Sequence, residues 1–173
     1  RAADFILQTI ELKNHGLFIC GKGNNAGDAL VVARLLSDHS IKCTILFVSG
    51  TDSLSSECSK NLSLLKNLDL DIEIISSINE FNKSQSYDFI IDGMLGTGLN
   101  SNLSFPFSEI IDWVNKQDSM IFSMDIPSGL SADSGVIHGH AIRADYTLAF
   151  GTLKQGYFFN DGYNQCGEII FCQ

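Results

Sequence analysis

The sequence predicts an α/β protein whose central sheet is mostly parallel and covered on both faces. Two observations carry this. Short runs that are apolar at every position, such as Leu17–Cys20, Cys43–Val48 and Met120–Met124, alternate with stretches of helical period; a strand apolar on both sides is buried on both sides, as in sheets built from βαβ units. Three of the strand ends also run into unusual loops, and ligands of open α/β sheets bind outside the carboxyl ends of the strands. A chain of 173 residues, 45% hydrophobic and 18% charged, suits one domain over residues 1–173 with a substantial core.

The elements follow in order. Residues 1–12 place Ala3, Ile6, Leu7 and Ile10 on one helical face. That helix begins without a capping residue, as in the ordered part of a longer protein. Leu17–Cys20 is a short strand broken by Gly21, and a helix is expected from about Asp28 to Asp38. Cys43–Val48 has strand length and β-branched content, and 55–68 reads as an amphipathic helix with Leu62, Leu65 and Leu68 inward. Ile72–Ile75 is a strand, Phe89–Ile91 is another that leads into Asp92, and 107–115 is helical after Pro106. Met120–Met124, Tyr146–Phe150 and Glu168–Cys172 are the remaining strands. After Gly151 no helical period is visible, so a long turn and an antiparallel last pair are expected.

Charge narrows the function classes. There are 11 Lys+Arg against 20 Asp+Glu, a net charge of −9; a general nucleic-acid binder needs a basic stripe to displace counterions. A phosphate-bearing ligand must then be held by local geometry against a repelling field. No apolar run approaches the roughly 18 residues of a membrane span. Cys20, Cys43, Cys58, Cys166 and Cys172 form an odd set without a C-x-x-C pair, which reads as buried thiols in a reducing cytoplasm.

The first loop, Gly21-Lys22-Gly23-Asn24-Asn25-Ala26-Gly27-Asp28, fits G-x-G-x-x-[GA] between a strand and a helix. Such a loop turns tightly and offers backbone N–H groups at a positive helix end to a pyrophosphate. The acid expected about 20 positions on, to grip a ribose, is absent. Asp52 is the nearest, which argues against an NAD-dependent dehydrogenase. Asp28 also reads as an N-cap. Gly96-Thr97-Gly98 is a second anion cradle or a plain glycine turn. Asp92 and Asp125 each follow an apolar run, where a carboxylate is expensive unless compensated; two of them facing one crevice suit a metal or acid–base role. His138-Gly139-His140 lacks a third ligand at metal spacing and reads as surface or turn. Ser128 has no histidine partner that would make it a nucleophile.

Together the loops resemble the NAD(P)H-hydrate epimerase family, the YjeF N-terminal domain. The resemblance rests on residues 21–28, on Asp92-Gly93-Met94-Leu95-Gly96-Thr97-Gly98-Leu99 and on Met124-Asp125-Ile126-Pro127-Ser128-Gly129-Leu130. Ala132-Asp133-Ser134-Gly135, Arg143-Ala144-Asp145 and Phe150-Gly151-Thr152-Leu153-Lys154 extend it. It implies a three-layer α/β/α Rossmann-like fold, usually dimeric, and an isomerase that interconverts the R and S hydrates of NADH and NADPH. The functional partner it implies is an ATP- or ADP-dependent dehydratase that repairs the S form. It implies substrate contacts at Asn24, Asn25, Ala26, Gly27 and Asp28, at Gly96, Thr97, Gly98, Leu99, Asn100, Ser101 and Asn102, and at Asp125. It also implies a potassium ion held by Asn25, Asp92 and Ser128, oxygen ligands of the kind a large hard cation takes.

Asp125 is the expected acid and base, a carboxyl whose burial favours its protonated form. The sequence departs from the family pattern at Lys22, usually Pro, and at Ala26 and Ala29, usually Gly. The two methyls are expected to narrow the phosphate loop and Lys22 to add a charge beside it. A dinucleotide-binding or scaffold module with reduced catalysis is the alternative reading.

Overall fold

The computed structural model describes residues 1–10, 15–68 and 72–173. Its seven strands are β1 (His15–Cys20), β2 (Lys42–Phe47), β3 (Ile72–Ile75), β4 (Phe89–Gly93), β5 (Met120–Met124), β6 (Tyr146–Phe150) and β7 (Glu168–Cys172). They form one sheet in the order β3-β2-β1-β4-β5-β6-β7, every pair parallel. The chain runs outward from β1 to β3, then returns to β4 on the other side of β1. Connections after β1 and β4 therefore leave on opposite faces, and a crevice opens between them at the carboxyl edge.

Alternation along the strands divides the interior into two layers. Phe18, Cys20, Phe89, Ile91 and Phe122 face helices α1 (Ala2–Ile10), α2 (Asn24–Ser37) and α3 (Ser56–Lys66). Leu17, Ile19, Ile90 and Ile121 face α4 (Phe107–Val114). This is the three-layer arrangement that the uniformly apolar strands foretell. Residues Glu11 and Leu12 of the expected first helix lie outside the described residues. All five cysteines are buried, and none forms a disulfide.

Two expectations are corrected. The second helix starts at Asn24, not near Asp28, with Gly23 extended at its N-cap (φ −89°, ψ −170°). Asn24-Asn25-Ala26-Gly27 has weak helical propensity and no apolar period, but Ala26 and Ala29 are fully buried, so packing decides the start. Asp28 thus stands within the helix and is no cap.

The last strands pair in parallel, from Tyr146↔Glu168 to Phe150↔Cys172. The connection over 151–167 exceeds the roughly dozen residues that a parallel crossover requires. It is built from a 3₁₀ turn (Gln155–Tyr157) and the one-turn helix α5 (Gly162–Gln165), too short to show a helical period. Tyr157, 1% exposed, packs there with Leu130, Ala132 and Cys166 and takes the place of a helix face.

One close approach fixes α2 against the sheet. A Cβ added at Gly93 would lie 2.6 Å from the Ala29 Cβ and 3.2 Å from the Asn25 carbonyl oxygen. Gly93→Ala is expected to destabilise the domain by about 1–3 kcal/mol, as overpacking of a rigid core does. Adding Ala29→Gly should restore part of that loss, and thermal denaturation of the two variants and the double variant measures the coupling.

Candidate active site at the switch point

The first wall of the crevice is the start of α2. Its first helical bond runs from Gly27 N–H to the Gly23 carbonyl, so the amides of Asn24, Asn25 and Ala26 have no intrahelical acceptor. No side chain caps this end, and a Cβ at Gly23 would meet nothing within 4 Å. An uncapped helix start facing open space suits an anion. The loop after β4 lies against it: a Cβ at Gly21 would fall 2.0 Å from the Met94 carbonyl oxygen, so only glycine permits that approach.

Beneath both loops sits Asp92, fully buried. Its Oδ1 accepts from Ser128 Oγ (2.6 Å) and Met94 N–H (3.2 Å), its Oδ2 from Ser128 N–H (2.8 Å) and Ser123 Oγ (2.9 Å). Ser128 Oγ in turn accepts from Leu95 N–H (2.9 Å), and Asn25 Nδ2 donates to the Leu95 carbonyl (2.9 Å). One polar chain thus links the ends of β1, β4 and β5. Burial pushes the Asp92 carboxyl up from its ordinary value, while the donors from Ser128, Ser123 and Met94 pull it down.

The opposite wall carries Asp125, which has a left-handed backbone (φ 61°) of the kind concentrated at functional sites. Four bonds over-determine that conformation. Its N–H donates to the Leu148 carbonyl (2.9 Å), its carbonyl accepts from the Tyr157 hydroxyl, and its Oδ1 accepts from Phe150 N–H (3.1 Å) and from Lys154 Nζ. The Lys154–Asp125 pair is largely enclosed, with the two side chains 13% and 19% exposed. A cation therefore accompanies Asp125 into the wall.

Residues 1–156 match the model of the family described as YjeF-related protein N-terminus. The chain belongs to this family. The YjeF-type domain is 36% identical over 153 residues to a protein of Dictyoglomus turgidum named bifunctional NAD(P)H-hydrate repair enzyme Nnr, covering 88% of this chain and 29% of that one. It is 32% identical over 151 residues to a Nitrosopumilus maritimus protein named NAD(P)H-hydrate epimerase, covering 87% and 69%. The chain spans about a third of the length of the bifunctional relatives. The crystal structure of yeast ynu0, YNL200c, shares the fold with a TM-score of 0.78 at 21% identity, covering 95% of this chain and 72% of that one.

In the YjeF-type domain the two walls enclose a cleft of about 930 Å³. Asn24, Asn25, Asp28, Gly96, Thr97, Gly98, Leu99 and Asp125 line it, as their place at strand ends foretells. Ala26 and Gly27 are buried behind the helix start and are not among the lining residues, and Asn100, Ser101 and Asn102 are exposed outside it. The methyls of Ala26 and Ala29 point into the core, so they do not narrow the phosphate loop. Lys154, Tyr157, Phe150, Phe107 and Ser49 received no role from the sequence. Lys154 and Tyr157 carry a usable signal, since they lie on the loop after a strand neighbouring Asp125. Among the described residues no cluster of three His, Cys, Asp or Glu forms a metal site, and His140 pairs with Asp112 (2.8 Å).

Loss of solvent pushes the Asp28 carboxyl up from its ordinary value, and the negative charge of Asp125 pushes it the same way. Folding therefore makes Asp28 hold its proton to higher pH than in the unfolded chain. Its contribution to stability falls as pH rises from the ordinary carboxyl value through the raised one. In Asp125→Asn the Asp28 value is expected to drop toward, without reaching, the ordinary one. A carboxyl-carbon NMR titration of Asp28 reads this directly, and an unchanged value would break the link between the two walls.

Proposed function

We propose that this domain is an isomerase that interconverts the R and S hydrates of NADH or NADPH. The observation that carries this is the pairing, in one cleft, of an uncapped helix start with Asp125, whose carboxylate is held by the enclosed Lys154 behind it. The first feature suits a pyrophosphate and the second suits proton transfer at a ring held a fixed distance away. The names of the relatives, epimerase and repair enzyme, support the same substrate.

Epimerisation needs the hydroxyl on the hydrated ring to leave and water to return on the other face. The Asp125–Lys154 pair supplies the proton that departs with the hydroxyl as water. The C–O bond breaks, and the ring nitrogen's lone pair stabilises the cation left behind. Water then adds to the opposite face and its proton returns to the pair, so nothing is consumed. The amides of Asn24, Asn25 and Ala26, which have no intrahelical acceptor, hold the phosphates, with Asp28, Gly96, Thr97, Gly98 and Leu99 lining the cleft beside them, while Gly27 gives its N–H to Gly23 and shapes the helix start.

A potassium ion fits beside this machinery with one adjustment. Asn25, Asp92 and Ser128 offer amide, carboxylate and hydroxyl oxygens, and none of the ion pairs among the described residues gives buried Asp92 a cation. Both Asp92 oxygens already accept two bonds each, so the Ser128 hydroxyl has to turn to present a lone pair. The ion would supply counter-charge to the buried carboxylate. Five buried thiols, none of them in a disulfide, support a reducing, cytoplasmic setting. A homodimer, and an ATP- or ADP-dependent dehydratase as functional partner, complete this reading; the bifunctional relatives support a joined second activity.

Chiral separation of the hydrate epimers with and without protein tests the activity. Faster approach to the equilibrium mixture is expected, whereas equal slow rates in both tubes would leave a binding or scaffold module. Asp125→Asn is expected to slow epimerisation by about a hundredfold or more, with ADP-ribose affinity held within a few-fold. Titrating potassium into protein dialysed against a bulky organic cation should raise both the rate and the melting temperature. A flat response in each would end the role of the ion.

A further inference from the structure

Lys22 carries a charge for which the fold has no use. It is half-buried, it lines the cleft, and it takes part in none of the ion pairs among the described residues. Its position is nevertheless clamped. The Lys22 carbonyl accepts from Ser55 N–H (2.8 Å), and Ser55 caps α3 through Cys58 N–H (3.2 Å). Val48 N–H donates to the Cys20 carbonyl (3.0 Å), which holds the ends of β1 and β2 together. Lys22 therefore stands between the start of α2 and the end of β2, with Ser49 lining the cleft just past β2.

The end of β2 is where an open α/β dinucleotide fold meets the adenosine ribose, and an acid there selects a free 2′-hydroxyl. No acid fills that place: Asp52 is exposed and absent from the lining. A cation and a hydroxyl stand there instead. The pyrophosphate has its own donors in the amides of Asn24, Asn25 and Ala26, so a further point charge beside β2 addresses a further anion.

Resting on the dinucleotide reading above, we propose that Lys22, with Ser49, receives a phosphate monoester on the adenosine ribose, so that the cleft selects 2′-phosphorylated dinucleotides. Lys22 is then a specificity residue and takes no part in the reaction at the ring.

Two unreactive probes, ADP-ribose and 2′-phospho-ADP-ribose, share the pyrophosphate and differ by that monoester. Calorimetric titration of the wild-type protein is expected to show the phosphorylated probe binding about tenfold tighter, the scale of one charge-assisted contact, with the gap closing as salt rises. Lys22→Gln should bring the two probes within about twofold, its loss falling far more heavily on the phosphorylated probe than on ADP-ribose, and Lys22→Arg should keep the preference. Unaltered melting temperatures exclude misfolding. Equal wild-type affinities overturn the proposal, as does a Lys22→Gln protein weakened equally toward both probes, which would assign Lys22 to the pyrophosphate. Failure of wild-type protein to bind either probe overturns the dinucleotide reading as well, an outcome distinct from binding without preference.

Discussion

A carboxylate without solvent contact must be met by donors from every side, and at Asp92 those donors come from separate strand ends. The hydroxyls of Ser123 and Ser128 reach it from β5 and the turn after it, and the Met94 amide from the loop after β4. Through Leu95 the same chain extends to Asn25 at the start of α2. Removing one member leaves a buried polar group unmatched, so the loops cannot move independently without a penalty of several kcal/mol. Around this point the geometry of the cleft is set: the uncapped helix start and the turn that presents Asp125 share one anchor.

The second wall is organised by charge pairing. Asp125 is enclosed with Lys154, and taking one partner from such a pair strands the other in a poorly solvated place. The chain as a whole repels a polyanion, with a net charge of −9. Positive potential is therefore confined to local features, the uncapped start of α2 and Lys22, while burial and the negative charge of Asp125 make Asp28 hold its proton to higher pH.

Strand positions and the two-sided burial of the sheet were legible because the apolar residues Leu17–Cys20 of β1 and Phe89–Ile91 of β4 pack alternately against one layer or the other. The loops at the carboxyl edge were legible because glycines and aspartates after apolar runs have few other uses. What escaped was set by tertiary contact. Asn24-Asn25-Ala26-Gly27 forms helix because Ala26 and Ala29 are drawn into the core, which no local period announces. The parallel pairing of β7 depends on Tyr157 filling a face that a helix ordinarily fills. Lys154 was visible as a residue but not as a partner, because its meeting with Asp125 depends on the adjacency of β5 and β6. The same limit hid the direction of the Ala26 and Ala29 methyls.

The crossover after β6 gives the site a direction in time. Its Lys154 and Tyr157 hold the side chain and the backbone of Asp125, and both lie far downstream of the glycine loop at Gly21–Asp28. A nascent chain emerging from the ribosome completes the glycine loop and the start of α2 first and acquires Lys154, the partner of Asp125, only after β6 has emerged. The two walls of the cleft are thus completed in succession, with the arrival of β6 and its crossover as the event that separates them.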